Sequence, residues 1–371
     1  MQNLRYTLQV NTGSFAHTAA SAQEIAARLD RCFDRIDVER VIYGWSPDRA
    51  LNEEVTAYLA RRGVEKYLWL PIFCEIHDPQ ASDAFVDIQG AGNHMLDGLC
   101  QGESFDFVCQ SSERNIDHAI RVYHDMTDAL PVEGVFIDRI RYASAANSVR
   151  DLYGCWCPRC RQRYQEAGVD VPRIQELARL NSTAPFVPAA IRGSVYQYEN
   201  PDIDALMRVK RETIGRAAQR LCAHFRAAGK KIGIDTFASG VADFVGQDLE
   251  ALGGMVDFIK PMVYLRTQAP AGVPFEVGAL GEEIAGRMAR LGGAEPCSMD
   301  AAIRQIKALM DTGASVAPGI DVNRIDPICS ATPQYVLTYL RRLEEIGCDQ
   351  AVLAWDAMRM SDEVLDAIAG R

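Results

Sequence analysis

The stretch GVFIDRIRY, residues 134–142, runs three large apolar side chains into an acid and two bases. Val135, Phe136 and Ile137 suit a strand covered on both faces. Asp138 closes it, and Arg139 and Arg141 follow. Burial beside a cation is how a carboxylate is tuned for chemistry. Polar residues end other apolar runs in the same way: Cys74, Glu75 and His77; Asp235; Lys260 and Tyr264; Asp321 and Asn323; Trp355 and Asp356. Period-two alternation puts Lys260, Met262 and Tyr264 on one side of a strand, and Gly233 with Asp235. Two carboxylates flanking a bond are what glycoside cleavage needs. One attacks or steadies the oxocarbenium-like centre, and the other protonates the departing oxygen. Asp138 fits the first role, because Arg139 or Arg141 could keep it ionised. Asp235, between KIGI and TFA, fits the second, because an apolar site raises a carboxyl pKa. Glu75, His77, Arg141, Lys260, Tyr264, Asp321, Trp355 and Asp356 are candidate substrate contacts. Trp45, Trp69, Tyr264 and Trp355 offer faces on which a sugar could stack, with a core position equally open to each. Plainer roles stand beside these. A strand-end Asp often caps a helix or meets an Arg; Asp356 has Arg359 nearby, and Lys260 could be the ion-pair partner of Asp138 or Asp235.

A second constellation is YGCWCPRCRQRY, residues 153–164, with Cys155, Cys157 and Cys160 in a C-x-C-x2-C spacing. Three thiols in six residues suit a tetrahedral zinc site better than disulfides in a reduced protein. Cys109 is the candidate fourth ligand, near the start of the helix that leads to the fourth strand. Such a site would be structural, with four protein ligands and no open position. Reduced, unmetallated thiols are the alternative. The other seven of the 11 cysteines are isolated in apolar surroundings and read as core. The six histidines form no H-x-x-x-H pair, so no catalytic metal is expected, nor any organic cofactor.

The elements that must position these groups alternate. Strand runs at 6–10, 40–45, 66–76, 134–138, 231–238, 257–265, 315–322 and 351–356 are interleaved with helical runs at 22–36, 53–63, 116–130, 201–228, 247–253, 298–312 and 332–346. Ile25, Leu29 and Phe33 share one helical face. Eight β units in 371 residues predict an α/β protein, a single (β/α)8 TIM barrel over 1–371. No Gly-rich phosphate turn follows the first strand, since NTGSFAH at 11–17 has one Gly, which disfavours an open doubly wound sheet. Residues 143–200 are too long for a βα loop and read as an insertion over the barrel mouth after strand four, where such barrels carry their chemistry.

Net charge is −11, and the basic residues are scattered, which excludes an electrostatic footprint for nucleic acid. No apolar run approaches membrane-spanning length, and the N-terminus enters a strand pattern without a signal-peptide core. The expectation is a cytoplasmic protein with a small carbohydrate or glycoside as its partner, and apolar barrel helices make a homodimer plausible.

The segment DALPVEGVFIDRIRY, residues 128–142, resembles the fourth-strand region of hypothetical glycosyl hydrolases with α-amylase-like or α-L-fucosidase-like barrels. FVCQSSERNIDHAIRVYHDM (107–126), DFIKPMVY (257–264) and AVLAWDAM (351–358) are similar to the segment before that strand, to the sixth strand and to the eighth. The resemblance implies a glycosidase with Asp138 as nucleophile. Many such relatives use Glu as acid/base after strand five or later, where this chain has Asp235. The cysteines are similar to the zinc cluster of a family of barrel β-galactosidases, in which one upstream Cys joins a C-x-C-x2-C group. The reading is a retaining hydrolase acting on a small glycoside. A Schiff-base aldolase or lyase using Lys260, or a barrel that only binds sugar, are the alternatives.

Overall fold

The fold was analysed in a computed structural model that describes residues 4–14, 17–18, 20–46, 48–78, 80–94, 105–127 and 130–371. Eight parallel strands close a barrel. They are β1 (Arg5–Asn11), β2 (Val38–Gly44), β3 (Glu65–Pro71), β4 (Gly134–Asp138), β5 (Lys231–Phe237), β6 (Phe258–Met262), β7 (Gly319–Asp321) and β8 (Gln350–Ala354). Each pairs with the next in sequence, and β8 closes onto β1. The expected (β/α)8 architecture is present. Residues 128 and 129 of the expected helix 116–130, and Cys100, lie outside the described residues.

Helices Ala22–Phe33, Arg49–Arg62, Glu113–Thr127, Pro201–Ala227, Leu249–Gly253, Met299–Asp311 and Pro333–Glu345 answer to the seven periodic runs. Their starts are chemically marked. Ser21 and Glu24 form a reciprocal capping box, Asp48, Asn200, Ser298 and Thr332 accept from first-turn amides, and Pro201 and Pro333 open their helices. On the first helix the buried face is Ile25, Leu29 and Cys32, with Phe33 half-buried.

Several strands are shorter than their apolar runs, and β8 ends at Ala354. After Pro71 the chain leaves the sheet, yet Ile72, Phe73 and Cys74 stay fully buried under the following loop. Burial alone prolonged that run. β6 stops at Met262, and β7 is three residues long, with Pro318 just before it lacking a ladder N–H. Glu75, Tyr264 and Asp356 therefore sit in loops beyond the strand ends. One cysteine is not core: Cys297 is exposed, because it lies in the turn between helices Glu282–Gly292 and Met299–Asp311. Residues 143–200 contain helices Pro158–Glu166 and Val171–Ala178, and a hairpin of Pro188–Arg192 with Val195–Tyr198. Among the described residues, no helix is long and apolar enough to cross a membrane.

The barrel's lower interior is an aromatic floor. The Tyr67 and Phe258 rings lie 5.4 Å apart edge to face, and Phe136 stacks on Phe258 at 5.8 Å. The Arg40 guanidinium covers Phe258 at 4.2 Å. The rings need glycines across from them. A Cβ on Gly233 would fall 2.3 Å from Phe258 Cζ and 2.8 Å from Phe136 Cδ2. Gly233→Ala should therefore cost about 1–3 kcal/mol by overpacking, read as a lower urea midpoint with an unchanged m-value.

Candidate active site

Above the floor, β4 to β6 bring charge inward. Pairing of Ile137 with Ile234 makes Asp138 and Asp235 consecutive neighbours on adjacent strands, and Asp235 is the register partner of Lys260. The Asp138 carboxylate is held by two donors. Trp69 Nε1 donates to Oδ2 at 2.8 Å, and the Arg139 backbone N–H donates to Oδ1 at 2.5 Å. The arginine side chains expected to keep it ionised go elsewhere. Arg139 forms an ion pair with Glu75 at 2.7 Å and lies over the Trp45 and Phe105 rings, while Arg141 is held by Phe107 and Phe237. Asp138 takes no ion pair among the described residues, so hydrogen-bond donors rather than an arginine pair face its oxygens.

Asp235 is 2% exposed. Lys260 Nζ donates to its Oδ2 at 2.8 Å and to the Tyr264 hydroxyl at 2.7 Å, while Asp235 Oδ1 has no hydrogen-bond partner among the described residues. Burial pushes the Asp235 carboxyl up to about 7; Lys260 opposes this and the nearby Asp138 charge adds to it. Burial likewise raises the Tyr264 phenol, so it stays protonated. Lys260 is fully buried, and its path requires Gly319, where a Cβ would meet Lys260 Cε at 2.4 Å.

A cavity of about 100 Å³ opens over this layer. Asp138, Asp235, Arg139, Arg141 and Tyr264 line it, together with Trp45, Trp69 and Trp355. Gln9, fully buried, also reaches it, with neither side-chain amide atom hydrogen-bonded among the described residues. Phe105, Ile328, Thr267 and residues 269–271 also line it; sequence reading missed them, because the loops that carry them have no periodicity. No lining residue comes from 143–200. Backbone strain gathers here: Trp45, Glu75, Arg139 and Ala271 have φ of 76°, 66°, 50° and 70° without being glycine. Such conformations persist where surrounding structure holds them, often at working sites.

The remaining expected contacts stand behind the cavity wall. Glu75 supports Arg139. His77 bonds the Ile72 carbonyl at 2.7 Å and Ser82 at 3.0 Å, and burial lowers its pKa to about 4. Asp321 accepts from Arg266 N, Thr267 Oγ1 and the Tyr335 hydroxyl, and so ties down the loop that brings Thr267 to the cavity. Asp356 accepts from Met358 N at 3.1 Å and Asn11 N at 3.3 Å, with Arg359 at 3.6 Å; burial raises it to about 6.

The four expected cysteines do meet. The Sγ atoms of Cys109, Cys155, Cys157 and Cys160 all lie within 4.8 Å of one another, with Cys109 3.7 Å from Cys157 and 3.5 Å from Cys160. A tetrahedron of thiolates around zinc, with Zn–S of about 2.3 Å, has edges of about 3.8 Å. The set therefore fits a four-coordinate metal.

No protein-family model matches the chain, and no curated protein matches it. Solved structures do. The glycoside hydrolase domain of PgaB (BpsB) from Bordetella bronchiseptica superposes with a TM-score of 0.65 at 12% identity, over 99% of this chain and 98% of that one. Alpha-L-fucosidase isoenzyme 2 from Paenibacillus thiaminolyticus gives 0.56 at 10%, over 99% of this chain and 48% of that one. The spore cortex-lytic enzyme SleL of Bacillus megaterium QM B1551 gives 0.50 at 7%, over 99% and 73%. At these identities the likeness establishes the fold: a closed (β/α)8 barrel of the kind these hydrolases use.

The Asp235–Lys260 pair gives a direct test of the site's electrostatics. Lys260→Met leaves a buried carboxyl that is neutral in the folded state but ionised in the unfolded chain above its ordinary pKa of about 4. The folded carboxyl, already raised, moves higher still. Between pH 5 and about 7 both proteins lose stability in parallel; above about 7 only the variant goes on losing it, so the difference between them should be larger at pH 8 than at pH 5 by about 1 kcal/mol. Urea unfolding at the two pH values checks it.

Proposed function

We propose that this protein is a retaining glycoside hydrolase acting on a small glycoside. The observation that carries the reading is the pairing of two inward carboxylates of different character on adjacent strands. Asp138 accepts two fixed donors, and Asp235 is a buried acid raised to about 7. Asp138 would attack the anomeric carbon, and its rigid tether to Trp69 and the Arg139 amide favours a near-attack geometry. Asp235 would protonate the leaving oxygen and then, once deprotonated, activate water. Adjacent strands are about 4.8 Å apart, which is compatible with the roughly 5 Å carboxyl separation of retaining enzymes. Trp45 and Trp355 supply stacking faces, and the Tyr264 hydroxyl a donor. The superposable glycoside hydrolase domain and alpha-L-fucosidase support this chemistry.

The aldolase alternative needs a free amine at the substrate. Lys260 instead donates to both Asp235 and Tyr264 and lies behind the lining residues. Borohydride in the presence of ketones or aldehydes should leave no adduct on Lys260.

Assay of nitrophenyl glycosides should find at least one cleaved with retention. Asp138→Asn should lower kcat/KM roughly a thousandfold or more. Because the protonated Asp235 is the acid, kcat/KM should fall as pH rises through about 7, and Asp235→Asn should abolish that limb. Inversion of the product, or an unaffected Asp138→Asn, would exclude the assignment.

The four cysteines complete the reading as a structural zinc site, joining the 109 region to helix Pro158–Glu166, in a reducing compartment such as the cytoplasm. Protein purified without added zinc should carry about one equivalent. Cys157→Ser should lower both metal content and melting temperature; a metal-free protein of equal stability would end the zinc assignment.

A further inference from the structure

Arg141 is 3% exposed and lines the mouth cavity. Its guanidinium lies 4.9 Å from the centre of the Phe107 ring and 4.4 Å from that of Phe237, which fixes its position. Among the described residues its Nη1 donates to the Tyr142 carbonyl at 2.9 Å, and no carboxylate forms an ion pair with it. Its neighbours differ: Arg139 pairs with Glu75, and Lys260 with Asp235. Glu276, the acid whose charge acts most on Arg141, accepts instead from the Ala271 backbone N–H at 3.0 Å.

Glu276 and Asp138 offset the charge of Arg141 only through space, and a buried guanidinium is best stabilised by a direct partner on its fork. The guanidinium's planar fork matches the two oxygens of a carboxylate. We propose that the substrate supplies this direct partner: the sugar bound against Asp138 and Asp235 carries a carboxylate, as in a uronic acid, and Arg141 recognises it. The inference rests on the hydrolase reading and names its substrate class. A singly charged group is the match. Asp138 already brings negative charge to the cavity, and a phosphate dianion would add more than one arginine offsets.

The test uses the full-length protein and non-hydrolysable phenyl thioglycosides, so that binding is read without turnover. Titration calorimetry would compare the thioglucuronide and thiogalacturonide with their neutral hexoside counterparts and the hexoside 6-phosphates. One uronide should bind at least about tenfold more tightly than its neutral counterpart, the scale of a charge-assisted contact in a desolvated site. Arg141→Gln should erase the preference, and Arg141→Lys should restore part of it. Should both variants fail to fold, the ligand comparison on the unaltered protein still decides. Equal or tighter binding of neutral hexosides, or a preference for the 6-phosphates, would overturn the carboxylate assignment and leave the hydrolase reading standing. A uronide preference that survives in folded Arg141→Gln would overturn the role of Arg141. If no glycoside binds and none is cleaved, both readings fall together.

Discussion

The Lys260–Asp235 contact at 2.8 Å, inside a barrel that admits almost no solvent, is the constraint around which the mouth is organised. A buried ammonium must spend its donors well, and this one meets a carboxylate and a phenol. That requirement reaches across three strands. β5 must place Asp235 in register, β6 must turn Lys260 inward, and β7 must offer a glycine where the lysine passes. Below, the Tyr67, Phe136 and Phe258 rings keep the layer dry; above it, the same dryness holds the Asp235 carboxyl up to about 7. One carboxyl is thus suited to give a proton while its neighbour Asp138 is held by donors.

The arginines after β4 are divided by their partners. Arg139, at φ of 50°, turns to Glu75 and the faces of Trp45 and Phe105. Arg141 is gripped by apolar rings and left facing the cavity. Two bases that look alike in sequence do different work: one braces the wall, and the other presents charge to whatever binds. The thiol cluster is a separate device. It converges from positions about fifty residues apart, the cysteines are free, and the spacing of their sulfurs suits four bonds to one ion.

Much of this was legible in the chain. Apolar runs marked all eight strands, and β4 was placed to the residue, because the charges of Asp138 and Arg139 break its apolar run although the chain beyond stays buried. The helix expected over 53–63 begins earlier, at Arg49, because the Asp48 side chain caps it there. The four cysteines were grouped from spacing and from the place of Cys109 alone. Where runs were overextended, at 66–76 and 315–322, the cause was one-dimensional: hydrophobicity reports burial, and loops such as 72–74 are buried without belonging to the sheet.

By itself, then, the sequence determined the barrel, the inward carboxylates and the thiol set, because those follow from periodicity, strand ends and local spacing. The partner of each charge was decided only in three dimensions. Nothing in the order of residues shows that Asp321 ties Tyr335 and the loop at 266–267 while Asp138 faces the cavity. Nor does it give Arg139 to Glu75 rather than to Asp138, or bring Gln9, Phe105 and Ile328 to one wall. Electrostatic partnership depends on distance through space, and the loops that set those distances carry no repeating pattern from which their course could be read.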